Sequence, residues 1–162
     1  MSADSDALVP TQKAVVTFVE SRSSYGVMRA DDTSIAVTVA AANTVYPITS
    51  GLSAGAELKD FTFQSASELV CGATGIYHIM FSMSLHSANN NENLCGQILV
   101  NGNETHYEND AECINAGKPV SISASGVIAI NSGDVITLGV ENETAAHNIT
   151  VTHATVSAIR IY

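Results

Sequence analysis

The sequence is short of positive charge. Six lysines and arginines stand against 16 acidic residues among 162, a formal net charge of -10, which repels a phosphate backbone and an anionic lipid surface alike. Nucleic acid and membrane insertion are therefore not expected. No window of about 20 residues is apolar enough to span a bilayer. The opening "MSADSDALVP" is acidic and polar where a signal peptide needs a basic start and an apolar run. Cys71, Cys95 and Cys113 are an odd count at wide spacing, without CxxC pairs. The expectation is reduced thiols in a protein made in a cytoplasm. The histidines form no H-E-x-x-H or H-x-x-x-H pair and no D-x-D-x-D-G loop occurs, so no metal and no cofactor is expected.

What is present is apolar and β-rich. With 46% hydrophobic residues, the chain can bury one core and is too short for two ordinary domains. Its mean hydropathy of +0.19 implies much buried apolar surface, some of it between subunits. Pro10 suits a first helical position, and Thr11 to Arg22 places Val15, Phe18 and Val19 on one face. A helix this short is marginal alone and needs something to dock on. The polar "SSYGVMRADDTS" reads as a linker, which divides the chain into residues 1–34, helix and linker, and residues 35–162, a β domain. From Ile35 onward the period is two. "GIYHIMFSMSLHS" sets Tyr77, Ile79, Phe81, Met83 and Leu85 against a small, mixed face carrying His78 and Met80. "VSISASGVIAI" places Val120, Ile122, Ala124, Ile128 and Ile130 on one side. About eight strands at this spacing make a sandwich or jelly roll.

Successive antiparallel strands alternate in direction, so their connections alternate between two ends. "CGATG", "VNGNE" and "INSGD" are short and Gly-marked, whereas "HSANNNENLCG", "CINAGKP" and "ENETAAHN" are longer and polar. Parity puts the long loops opposite the C-terminus and the N-terminal helix at the tight-turn end. The loop tip, Asn89, Asn90, Asn91, Glu92, Asn93, Glu143, Thr144, His147 and Asn148, is the candidate contact surface.

Over Ser5 to Glu20, "SDALVPTQKAVVTFVE" resembles a segment that recurs in tail-fibre and other fibre proteins of tailed bacteriophages. It departs at Val16 and Phe18, where the family often carries Lys and Tyr. Through "GIYHIMFSMSL", "ILVNG", "GVIAINSGDVITLGVEN" and "VSAIRIY", the body is similar to the trimeric jelly rolls of the tumour-necrosis-factor and complement globular-head type. The resemblance implies an all-β, TNF-like jelly-roll homotrimer preceded by a short helix. It implies Val15, Phe18 and Val19 packed at a three-fold axis, and His78 and Met80 against neighbouring subunits. As function it implies a non-enzymatic adhesion or receptor-binding module of a virion, made in the host bacterial cytoplasm. Such a module holds other virion proteins through its N-terminal region and a host surface glycan or protein through its loops. The alternative is a capsid decoration or head-fibre protein. A secreted trimeric ligand is a rival that the polar start opposes.

Other patterns carry blander readings. "GLSAG" at Gly51 to Gly55, with Asp134 and His153 following, matches a hydrolase nucleophile elbow centred on Ser53, but no helical stretch follows. The run "ETHYENDAE" sets Glu104, His106, Glu108, Asp110 and Glu112 along an extended segment, read as a solvated acidic face rather than a calcium site. Asn103, Asn142 and Asn148 begin N-x-T sequons, which in so Asn-rich a chain are coincidences of composition.

Overall fold

The computed structural model describes residues 11–14, 16, 23–31 and 33–162. The first strands are β1 (Tyr25–Ala30), β2 (Ile35–Val37), β3 (Tyr46–Pro47), β4 (Ser53–Ala54), β5 (Phe61–Gln64) and β6 (Glu68–Cys71). The longer ones follow: β7 (Gly75–Ser87), β8 (Glu92–Val100), β9 (Asn103–Cys113), β10 (Val120–Ile130), β11 (Val135–Asn142) and β12 (Ile149–Arg160). They form two antiparallel sheets. Sheet A runs β10-β7-β12-β1-β4 with β2 also on β12, and sheet B runs β5-β6-β11-β8-β9 with β3 on β11. Neighbours far apart in sequence, such as β1 beside β12, give the jelly-roll connectivity.

The core lies between the sheets and follows the period of two. Tyr77, Ile79, Phe81, Met83 and Leu85 of β7 are buried and meet Leu94, Ile98, Ile136, Leu138 and Val140 of sheet B in one cluster. On β10 the expected inward set holds, with Ile122 and Ile130 buried and Val120, Ala124 and Ile128 packed against the core. Tyr77 donates to the Ala73 carbonyl at 2.6 Å and its ring meets Phe61 edge-on, so its buried hydroxyl is paired.

The stretch expected to be a linker contributes β1, which pairs with β12 along its whole length, Tyr25 opposite Ile159 through Ala30 opposite Ala154. Its inward residues are Gly26, Met28 and Ala30. Two of the three are too small to register as an apolar alternation, and Gly26 is required because a Cβ there would lie 2.6 Å from the Phe61 ring. "IAVTVAAANTVYPIT" differs the other way, supplying only the short β2 and β3. Between them the Asn148 carboxamide takes the Val39 amide at 3.1 Å, which replaces ladder pairing with a side-chain bond. Before the body, Gln12 to Ala14 and Val16 are helical. The Thr11 hydroxyl accepts from the Ala14 amide at 3.2 Å, the bond of a helix N-cap. Pro10, Val15, Phe18 and Val19 lie outside the described residues.

Loop parity holds. At one end Asn91 donates to the Ile114 carbonyl, Glu143 to that of Asn93 and Gly117 to that of Ser87, joining the three long loops. At the other, Asn101 donates to Asp134, Ser132 to Thr74, and Ile76 to the carbonyl of the C-terminal Tyr162. The chain enters β1 at this second end, beside Ile159 and Lys59.

The free edge of β9 is tied across to β10. Tyr107 lies over Gly126 and donates from its hydroxyl to the Val127 carbonyl at 2.7 Å, with Cε1 2.0 Å from where a Gly126 Cβ would stand. Gly126→Val should displace the ring and cost about 1–3 kcal/mol, measured as a lower urea midpoint with an unchanged slope. A midpoint equal to the parent's would show that the Tyr107 contact contributes nothing.

Candidate interaction surfaces

The long-loop crown is built around a buried acid. Glu92 opens β8, only 2% exposed, and its carboxylate accepts from Asn142 Nδ2 at 2.9 Å and pairs with His147 Nδ1. Asn142, itself buried, uses its Oδ1 to accept the amides of Thr144 and Ala145, each at 3.0 Å. One carboxylate thus fixes the amide that folds the 143–148 loop. Burial opposes ionisation of Glu92. The hydrogen bonds from His147, Ser87 and Asn142, with the His147 charge, outweigh it and hold the carboxyl below its ordinary pKa.

Most of the crown's asparagines are engaged in the same way. Asn90 Oδ1 accepts the Ala116 amide at 2.6 Å, Asn93 Nδ2 donates to Asp110 and Glu143, and Asn148 holds Val39. Asn89, Asn90, Asn91, Thr144, His147 and Asn148 are exposed, Asn93 and Glu143 half-buried. Glu92 departs from the expected surface, since its carboxylate points inward and is fully engaged. The abundance of Asn here reflects loops that need side-chain amides to satisfy irregular backbone.

The second surface is the outer face of sheet A. Pairing fixes its rows: Val127, His78, Ile159 and Tyr25 stand side by side, and Ser125, Met80, Ser157 and Val27 form the next row. Ile76, Met80, Val127 and Ile159 are 37%, 40%, 51% and 48% exposed, while His78 is half-buried. Toward the loop end the rows turn to Ser82, Ser84, Ser121 and Ser123, flanking a shallow groove of about 550 Å³ beside Met80. His78 and Met80 therefore belong to one apolar patch near the C-terminal end. Val127 and Ile159 were missed, although "GVIAI" and "AIRIY" carry apolar residues at both parities, the mark of a strand with two covered faces.

Ser53 lies in the two-residue β4 and donates to the Arg29 carbonyl at 3.2 Å. No helix follows Gly55 among the described residues, so "GLSAG" forms no nucleophile elbow. Asp134 instead closes a turn, bonded by Asn101 and the Asn131 amide, which lower its pKa. The three cysteines are free and buried.

A carboxyl whose folded-state pKa lies below its unfolded value stabilises the fold above the unfolded value and loses that contribution as pH falls through the folded one. The crown should keep full protection of the Thr144 and Ala145 amides at pH 7 and lose it as pH drops below 4.5. Hydrogen-exchange protection factors measure this, and Glu92→Gln should remove the acid-dependent step. Protection of these two amides in Glu92→Gln with the same pH dependence as in the parent would contradict the latch.

No protein-family model matches the sequence, and no curated protein matches it. Solved structures match the fold. Murine APRIL is 14% identical with a TM-score of 0.58, covering 85% of this chain and 99% of its own. The globular domain of zebrafish complement 1qA is 15% identical at 0.52, with 86% and 98% covered. The vertex protein of phage PRD1 is 17% identical at 0.51, with 86% and 97% covered. At these identities the likeness concerns fold alone: the body is a TNF-like jelly roll, complete from β1 to β12.

Proposed function

We propose that the chain is a non-enzymatic virion module, a homotrimer of jelly rolls that attaches to the particle through its N-terminal region and adheres to host surface glycan or protein. The exposed apolar patch on sheet A carries this reading. Ile76, Met80, Val127 and Ile159 face solvent in a single chain, and contiguous apolar surface of this kind marks an interaction site. A second copy is the occupant that suits it. The resemblance to the trimeric jelly rolls of the tumour-necrosis-factor type implies such a face turned toward adjoining subunits, and the TNF-like fold of the body supports it. The phage vertex protein among the neighbours fits a place on a virion. Three weak sites held together would raise avidity without a stronger single contact.

One observation favours capsid decoration as the second reading. Asn90, Asn93 and Asn148 already use their amides within the crown, which leaves fewer polar groups for a host ligand.

Sedimentation equilibrium should return three times the 16.9 kDa chain mass for the parent and one chain mass for Met80→Asp, because a charge at an apolar seam is desolvated without a partner. A monomeric parent at micromolar concentration would overturn the assembly. Adhesion separates the two readings. Asn89→Ala touches an exposed side chain and should weaken adsorption to host cells with the melting temperature unchanged. Normal adsorption, with loss from the particle on deleting residues 1–22, would leave decoration in its place.

A further inference from the structure

The outer face of sheet B carries a group of carboxylates on β9. Glu104, His106 and Glu108 of β9 are exposed, and one donor atom from each lies within 4.8 Å of the others. Simple alternation does not explain this. Gln97 of β8 faces Glu108 and Leu99 faces Glu104, so β9 advances four residues where β8 advances two. The surplus forms a bulge with His106 at φ 60°, anchored by the Thr105 hydroxyl on the Ile98 carbonyl at 2.7 Å. Glu104 and Glu108 become neighbours on one face, with the imidazole between them. Glu141 of β11 senses them: burial first, then the charges of Glu143, Glu104 and Glu108, raises its pKa.

The second observation is Gln97. It is 1% exposed, and neither its Oε1 nor its Nε2 has a hydrogen-bond partner among the described residues. Buried amides are almost always paired, so an exception calls for a cause. Gly96 faces the core, where a Cβ would meet Met83 and Ile122; Cys95 and Gln97, on either side of it, face the other way. Cys95 marks what lies there, for its thiol is pushed up to about 12 by burial and then by Glu108, Glu143, Glu141 and Asp110. The ladder partners of Gln97 are Glu108 and Gly139. Paired residues project to the same face, so Gln97 and the Glu108 member of the cluster are cross-strand neighbours on the outer face of sheet B.

We propose that Glu104, His106 and Glu108 bind a divalent cation of the zinc or manganese class, with the Gln97 carboxamide oxygen completing the shell. The imidazole decides the class. Calcium and magnesium select oxygen-only shells, whereas two carboxylates and a ring nitrogen suit a borderline first-row ion. The ion would neutralise an acidic face and pin the bulge of an edge strand. The site lies within one chain and does not depend on the assembly proposed above.

The test is calorimetric titration of the chelator-treated full chain with zinc chloride, alongside its melting temperature. One equivalent per chain and a raised melting temperature are expected. Glu104→Gln and His106→Asn should each weaken binding by about tenfold or more while melting as the parent does without zinc. Asn suits the left-handed backbone at 106. Gln97→Leu should melt at or above the parent without zinc, since it removes two unpaired polar atoms, yet gain less when zinc is added. Absence of saturable binding would overturn the proposal. So would zinc binding that all three variants leave unchanged, or calcium chloride binding as tightly as zinc.

Discussion

Strand β7 has two faces to cover, and the sandwich covers one. Tyr77, Ile79, Phe81, Met83 and Leu85 fill the core, while Ile76 and Met80 on the opposite face meet solvent in the single chain. The antiparallel ladder extends that condition to β10 and β12, bringing Val127 and Ile159 into register with His78. A sheet so built buries one face in the core and leaves apolar side chains on the other, which the adjoining subunits of the proposed trimer would remove from water.

The two ends of the sandwich solve different problems. The tight-turn end is closed by backbone and turn side chains, with Asp134 and Asn101 linking adjacent hairpins. The other end carries long loops that cannot satisfy their own backbone, and there Glu92 and Asn142 act as an internal scaffold. The same polarity that suggests recognition thus serves architecture first. What remains outward is a smaller set, led by the exposed side chains of Asn89 and Asn91.

The strands from β7 onward were legible because their alternation is carried by large side chains. The loop ends were legible because parity needs only the order of strands. β1 was not, since two of its inward positions are the small Gly26 and Ala30, and at Gly26 a Cβ would collide with Phe61 and Leu69. The Glu92 latch joins residues 50 and 55 positions apart and leaves no local pattern. The Glu104–His106–Glu108 grouping depends on a bulge, and an acidic run looks the same on paper whether its carboxylates diverge or converge. His78 and Met80 were found as members of the mixed face, whereas Val127 and Ile159 needed the register.

The central claim is that the outer face of sheet A is covered in the assembled protein, and thiol labelling of Val127→Cys tests it most directly. The three native cysteines are buried, so the new thiol reports alone. The account predicts that it reacts far more slowly than an Ile114→Cys control on the exposed long-loop end, and that dilution restores its rate. Labelling at the control's rate at every concentration would contradict it.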